Sequence, residues 1–150
     1  MPPTYRDDPY GNYNFLIEVQ GISDGATARG SFSEITGLGV DIDVIEYRVG
    51  TEDITVRKMP GLAKYPNLVC KRGVTGDATF WNWLLSALQG NVQRATVRIS
   101  LLDESRQEVM RWTLRRAWPC RWMGPDLKAT GSEVAIESLE LCHEGIDLDD

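Results

Sequence analysis

The sequence predicts a mainly β protein with one helix, in which two antiparallel sheets pack as a β-sandwich or barrel and the helix flanks them. Apolar and polar residues alternate in about seven short segments, as they do in half-buried strands. Only one segment carries apolar residues at helical spacing, and turn-forming Gly, Pro and Asp residues separate the segments. The helix must bury its apolar stripe, and the sheets offer the apolar face for it.

The length, composition and net charge of the chain limit the class of protein to which it can belong. A length of 150 residues predicts one domain, 1–150, and fractions of 42% apolar and 25% charged residues are typical of globular proteins. No apolar run approaches the ~18 residues of a membrane span, and the first residues do not resemble a secretory signal. We therefore expect synthesis in the cytoplasm and no direct membrane anchoring. A net charge of −6 argues against non-specific binding to nucleic acids.

The first third of the chain is predicted to hold an arm and three strands. Residues 1–11 contain three prolines and are expected to form an extended N-terminal arm. Alternation of apolar and polar residues then predicts half-buried strands near residues 13–19, 28–35 and 40–48.

A long segment of weak periodicity follows at residues 49–64. It is rich in charge and is interrupted by Gly50, Pro60 and Gly61. A loop of this length inside a compact domain is commonly functional or a binding element. Because Ile54 and Val56 alternate with polar neighbours, a projecting β-hairpin is one interpretation of the segment.

The single predicted helix follows Asp77, which is a suitable N-cap, and ends before Gly90. Trp83 falls outside its apolar stripe and is either half-buried or in contact with another chain. The predicted buried stripe consists of Phe80, Trp81, Leu84, Leu85 and Leu88.

The remaining strands are expected near residues 67–71, 97–101, 108–118 and 133–143. A turn at residues 103–106 joins two of them into a hairpin. Pro119 is expected to open a second long loop, and residues 144–150 are expected to form an acidic tail.

The sequence offers no catalytic, metal-binding or cofactor-binding residues, so we expect no enzymatic activity and no cofactor. His143 follows Cys142 directly, and neighbours in a strand point to opposite faces. The three cysteines are far apart and odd in number, which favours reduced thiols. Asp41 and Asp43 are spaced as on a solvated face of a sheet. The basic residues Arg57, Lys58, Lys71 and Arg72 are interpreted as sheet-face charges, with nucleic-acid binding as the weaker alternative.

Four stretches, in this order and spacing, resemble the tail-tube protein family of contractile phage tails and phage-tail-like (extracellular) contractile injection systems. The final strand and tail, residues 133–145, also fit this family. The four stretches are DPYGNYNFLIEV at 8–19, FSEITGL at 32–38, VIEYRVG…VRKMPG at 44–61 and YPNLVCKRGVT…FWNWLL at 65–85.

The resemblance implies a hexamer whose subunits form a continuous barrel around a lumen, with rings that stack into a rigid tube. Implied partners are other copies of the chain, a contractile sheath protein, baseplate and tube-initiator proteins, a terminator or cap protein, and a toxin protein or DNA as cargo in the lumen. The loop at 47–62 and the arm at 5–11 would contact neighbouring subunits. The contact residues implied are Tyr47, Arg48, Glu52, Asp53, Arg57, Lys58, Met59, Pro60, Lys71 and Arg72.

Three interpretations of function remain open. The chain resembles the inner tube of an injection system slightly more than a phage tail tube that conducts DNA. The assembled particle would be cytoplasmic, released from the cell, or part of a virion tail. A monomeric β-sandwich binding module is the alternative from another class, and it explains the long charged loop poorly.

Overall fold

The computed structural model describes residues 2–21, 28–30, 32–48, 50, 56–74, 76 and 78–149. No helix among these residues is long and apolar enough to cross a membrane. Within them lie ten strands and one helix, in the order β1 (Phe15–Gln20), β2 (Ala28–Gly30), β3 (Glu34–Thr36), β4 (Asp41–Tyr47), β5 (Arg57–Lys64), β6 (Leu68–Gly73), α1 (Thr79–Leu88), β7 (Ala95–Leu102), β8 (Glu108–Met123), β9 (Ile136–Cys142) and β10 (Gly145–Leu148).

The 16-residue strand β8 joins two antiparallel sheets. Its first part pairs with β7 and β10, and β1 and β2 continue that sheet beyond β7. Its last part, from Trp118 onward, pairs with β9, and β6 and β3 continue the second sheet. Arg116 has a left-handed conformation (φ 50) where β8 passes from one sheet to the other. The predicted fold class, mainly β with two antiparallel sheets and a flanking helix, is confirmed.

The core lies between the facing sides of the two sheets and beneath the helix. Alternate residues of β1, β6 and β7 are buried, which is the period-two pattern that the sequence predicts for these strands. The most deeply buried side chains are Ile17, Val19, Leu68, Cys70, Trp83, Val97, Leu114, Pro119 and Leu141.

Three predicted boundaries are wrong. The strand expected at 28–35 is divided into β2 and β3, which pair with β1 and β6 respectively. Pro119 is buried inside β8, because the register shifts between Pro119 and Arg121 and a bulge tolerates a proline. The expected acidic tail contains β10, which pairs with residues 112–115 of β8.

The buried face of the helix shares Phe80 with the predicted stripe but includes Trp83, which the prediction placed outside it. Phe80 and Trp83 are its buried residues, whereas Trp81 is 42% and Leu88 is 69% exposed. Trp83 can be buried because its indole Nε1 donates a hydrogen bond to the Gln93 carbonyl at 2.7 Å. The N-cap residue is Ala78, which supplies no side-chain cap, and Asp77 lies outside the described residues.

Candidate assembly surface

Among the described residues, strands β4 and β5 pair only with each other and form a two-stranded hairpin outside both sheets. The prediction of a half-buried strand at 40–48 is therefore wrong for this subunit, because every residue of β4 is exposed. The second half of the expected loop is strand β5, which pairs with β4. Ile54, on which the interpretation as a hairpin within 49–64 rests, lies outside the described residues. A lone two-stranded hairpin is only marginally stable in water, so this element gains most from another surface.

One side of the hairpin, the charged face, carries most of its ionisable groups. Asp41 lies opposite Lys64, and the Lys64 ammonium is 3.1 Å from an Asp43 carboxylate oxygen. By alternation Ile45 lies on this same face, as does its partner Met59. The Asp43–Lys64 pair is exposed to solvent and contributes little stability.

The opposite side, the apolar face, has no charged residue over its central part. Ile42 lies opposite Ala63, and Val44 lies opposite Pro60. A register shift between Ile42 and Val44 keeps these four residues on one side, with Glu46 and Lys58 at the end of the face. At the same shift the side chain of Leu62 is 77% exposed.

Apolar side chains therefore project from both sides of an element that the other described residues leave exposed. Ile42, Val44, Ile45 and Met59 each expose half of their surface or more. Contiguous exposed apolar patches on soluble proteins mark interaction sites, and an unpaired strand edge is a template for another chain. The hairpin is the clearest candidate for an assembly surface among the described residues.

Most of the contact residues implied by the resemblance lie in or next to this hairpin. Glu52 and Asp53 lie outside the described residues. Tyr47 and Arg57 are cross-strand partners at the far end of the hairpin, and Arg48 follows directly. The residues that the structure brings together here are Tyr47, Arg48, Arg57, Lys58, Met59 and Pro60.

Lys71 and Arg72 lie elsewhere, on β6, and they differ in burial. Lys71 is half-buried, with its ammonium 3.7 Å from Glu34. Arg72 is buried within the subunit, where its Nε donates to Glu137 at 2.6 Å and its guanidinium lies 5.0 Å from the centre of the Phe80 ring. Arg72 thus has little surface to offer a second chain.

The N-terminal arm lies along its own subunit. The Arg6 guanidinium donates two hydrogen bonds to the Glu104 carboxylate, at 2.8 and 3.0 Å, and stacks 4.0 Å above the Tyr10 ring. These hydrogen bonds lower the pKa of Glu104 to about 2. The Thr4 amide also donates to the Val109 carbonyl at 2.9 Å. The side chain of Tyr5 is exposed and remains open to a neighbour.

A second apolar surface, missed by the sequence analysis, lies on the outer side of the helix. We call it the helix patch. The Trp81 and Trp122 rings meet edge to face with centroids 5.0 Å apart, beside a cavity of about 290 Å³ whose lining includes both rings, Phe80 and the Arg72–Glu137 pair. The helix patch consists of Trp81, Leu85, Leu88 and Trp122.

Cysteine thiols and potential metal ligands are two kinds of group that could carry chemistry among the described residues. No cluster of three His, Cys, Asp or Glu residues suited to a metal ion occurs in the part of the chain that the structure describes. Burial raises the pKa of Cys70 to about 12, and desolvation followed by a hydrogen bond with Cys142 raises the pKa of Cys120 to about 12. Thiols with such pKa values stay protonated at neutral pH and are poor nucleophiles.

Comparison with known proteins gives consistent results at the level of family and of structure. The model of the family described as "T4-like virus tail tube protein gp19" matches residues 11–147. A search among curated proteins finds no match.

Solved structures resemble the fold over nearly its whole length. A chain in the cryo-EM structure of the anti-feeding prophage (AFP) baseplate, 6-fold symmetrised, is 28% identical with a TM-score of 0.88, and the alignment covers 95% of this chain and 97% of that one. A chain in the sheath–tube complex of the extracellular contractile injection system PVC, in its extended state, is 26% identical with a TM-score of 0.82 over 95% and 93% of the two chains. Hcp1 from Flavobacterium johnsoniae, at 11% identity and a TM-score of 0.51 over 89% and 94%, shares the fold alone.

Proposed function

This chain belongs to the T4-like virus tail tube protein family, a family of structural tube proteins, and we propose that its copies close into six-membered rings that stack as the inner tube of a contractile injection system. The observation that carries this proposal is the hairpin of β4 and β5, which stands outside both sheets with apolar side chains on its two sides. Such an element is stable and soluble when neighbouring subunits cover it.

A tube requires contacts of two kinds. A head-to-tail contact that closes laterally produces a ring, and one that does not close axially produces a filament. The short edge strands β2 and β3 do not pair with each other, so the sheet does not close into a barrel within the described part of one subunit. We propose that residues 47–62, including Glu52 and Asp53, supply contacts between subunits, and that the arm at 5–11 adds a smaller contact.

The choice of an injection system over a phage rests on the relatives at 26–28% identity, which belong to the anti-feeding prophage and to PVC. Those structures include a baseplate, a sheath–tube complex and a tube-terminating cap. We propose equivalent sheath, baseplate, initiator and cap partners for this chain, and a cargo that passes through its lumen. The role is mechanical and includes no covalent step. The subunit would be made in the cytoplasm and act within the assembled particle.

Deletion of residues 50–57 tests the proposal, because it shortens the hairpin and leaves both sheets intact. We expect the deletion variant to keep the circular-dichroism spectrum of the parent and to elute as a monomer in size-exclusion chromatography with light scattering, at concentrations where the parent forms rings or tubes. Leu127→Glu is the control, since this exposed residue lies in the β8–β9 connection and its change should leave assembly intact. Normal tubes from the deletion variant would refute the role of the hairpin. A parent that stays monomeric would favour the binding-module alternative.

A further inference from the structure

We infer that the apolar face of the hairpin in one subunit docks on the helix patch of a neighbouring subunit, as one part of the ring or stacking contact. This inference rests on the proposed function and specifies where the hairpin binds. The two surfaces are the apolar face, centred on Ile42, Val44, Pro60 and Ala63, and the helix patch defined above.

The symmetry of the assembly requires two different surfaces. In a head-to-tail contact, a surface of one subunit meets a distinct surface of the next, whereas a two-fold contact uses the same surface twice. The hairpin and the helix patch are both exposed and apolar, and they lie on different elements. No sheet pairing joins the hairpin to the rest of its own subunit within the described residues. The chain therefore carries two surfaces that can complement each other between copies.

The helix patch has the character of a binding surface. Helix α1 contains no charged residue, and Leu85 and Leu88 follow Trp81 at positions i+4 and i+7 on its outer side. Tryptophan is enriched among the residues that dominate binding energy, especially beside pockets that an apolar side chain can fill. The cavity next to Trp81 and Trp122, about 290 Å³ in volume, is such a pocket. Glu137 in its wall is already held by Arg72 and accepts a hydrogen bond from Trp122 at 3.3 Å.

The distribution of charge indicates that the apolar face, and not the charged face, contacts the helix patch. Docking the charged face on the helix patch would place Asp41, Asp43 and Lys64 against a surface that has no free partner for them on α1. Burial of a charge without a partner is strongly unfavourable. The apolar face presents no charge over its centre, and Glu46 and Lys58 lie opposite each other at its end, where they can stay in solvent.

The dimensions of the two surfaces agree. Helix α1 has ten residues and is about 15 Å long, and the central part of the apolar face spans about 10 Å along the strands. Each surface amounts to a few hundred Å², which is the size of the largest apolar patches on monomeric proteins. A stable interface buries about 800 Å² per partner, so this contact needs the remaining ring interface beside it.

The test is photo-crosslinking within assembled particles. A benzoylphenylalanine at Leu88 should crosslink to a peptide from residues 41–64 of another copy, as identified by mass spectrometry of particles whose rings are confirmed by electron microscopy. The same probe at Leu127, which is exposed and outside the helix patch, should not crosslink to the hairpin. Crosslinks from position 88 to another part of the chain, or none in well-formed rings, would overturn the inference and leave the proposed function standing.

A matched pair of variants tests which face docks. Val44 and Ile45 are neighbours with 61% and 51% exposure, and they lie on opposite sides of the hairpin. Val44→Glu should remove the crosslink from position 88 and raise the protein concentration needed for assembly by about a hundredfold or more, because it buries a carboxylate. Ile45→Glu should keep the crosslink. The reverse result would overturn the assignment of the faces. Absence of rings in the parent protein at any concentration would contradict the proposed function, and this inference with it.

Discussion

Arg72 donates a hydrogen bond from its Nε to an oxygen of Glu137 at 2.6 Å inside the subunit, with side chains that are 9% and 16% exposed. Lys71, the next residue, forms only a loose and exposed pair with Glu34 at 3.7 Å. Adjacent basic residues of one strand thus differ in role because their side chains point to opposite faces.

Glu137→Gln should lower the free energy of unfolding by about 2 to 3 kcal/mol, because it removes the negative charge that lies 2.6 Å from the Nε of the buried Arg72. For a domain of this size the melting temperature should fall by about 6 to 10 °C. Glu34→Gln is the control and should change the free energy of unfolding by less than about 1 kcal/mol. Urea denaturation followed by circular dichroism measures both, and equal effects would show that the Arg72–Glu137 pair is no stronger than a surface pair.

The two tryptophans of the helix should respond differently to the same substitution. Trp83→Phe removes the Nε1 donor and leaves the Gln93 carbonyl without it, which should cost about 1 to 2 kcal/mol of unfolding free energy. Trp81→Phe keeps an aromatic ring beside Trp122, so the free energy of unfolding should change by less than about 0.5 kcal/mol. Chemical denaturation of the two variants provides the comparison. A larger loss for Trp81→Phe would restore the helix orientation that the sequence predicts.

Gly37 cannot be replaced without strain. Its φ is +98°, and an added Cβ would collide with the backbone carbonyl of Asn67. Gly37→Ala should therefore destabilise the subunit by at least about 2 kcal/mol. Gly39 is the matched control, since a Cβ there meets nothing within 4 Å. Gly39→Ala should change the free energy of unfolding by less than about 0.5 kcal/mol. Thermal melts of the two variants with equal midpoints would contradict this description of the β3–β4 connection.

The attachment of the N-terminal arm to its own subunit should depend on the protonation of Glu104. Its pKa is lowered to about 2 from the ordinary value of 4.5, chiefly by the hydrogen bonds from Arg6. A carboxyl group with a lowered pKa in the folded state contributes stability above the ordinary pKa, and this contribution is lost as the pH falls from about 4.5 toward 2. A carboxyl chemical-shift titration of Glu104 should give a midpoint near 2, and Arg6→Gln should return it toward the ordinary value. An unchanged midpoint in that variant would exclude Arg6 as the cause.

Strands that bury one side in their own subunit were predictable from the alternation of apolar and polar residues in the sequence. In β1, β6 and β7 the apolar residues alternate and one side is buried in the same subunit. The turn at 103–106 was also predictable, because Asp103 accepts hydrogen bonds from the amides of Ser105 and Gln107, a common behaviour of Asp in turns.

Features that depend on distant partners could not be predicted. The alternation in β4 is the same whether the apolar side meets its own core or another chain, so the pattern could not reveal that β4 is exposed. Helix α1 has only ten residues and two apolar sides, and on the buried side the indole of Trp83 donates a hydrogen bond to the Gln93 carbonyl. The division of 28–35 into two strands of different sheets is likewise set by pairing with β1 and β6.

Negative-stain electron microscopy of the concentrated, purified chain tests the central claim most directly. The proposed tube function predicts rings of sixfold symmetry, or stacks of such rings, with a continuous lumen. A uniform population of monomers at every concentration, with the folded circular-dichroism spectrum retained, would contradict it and would identify the exposed hairpin as a binding element for a different partner.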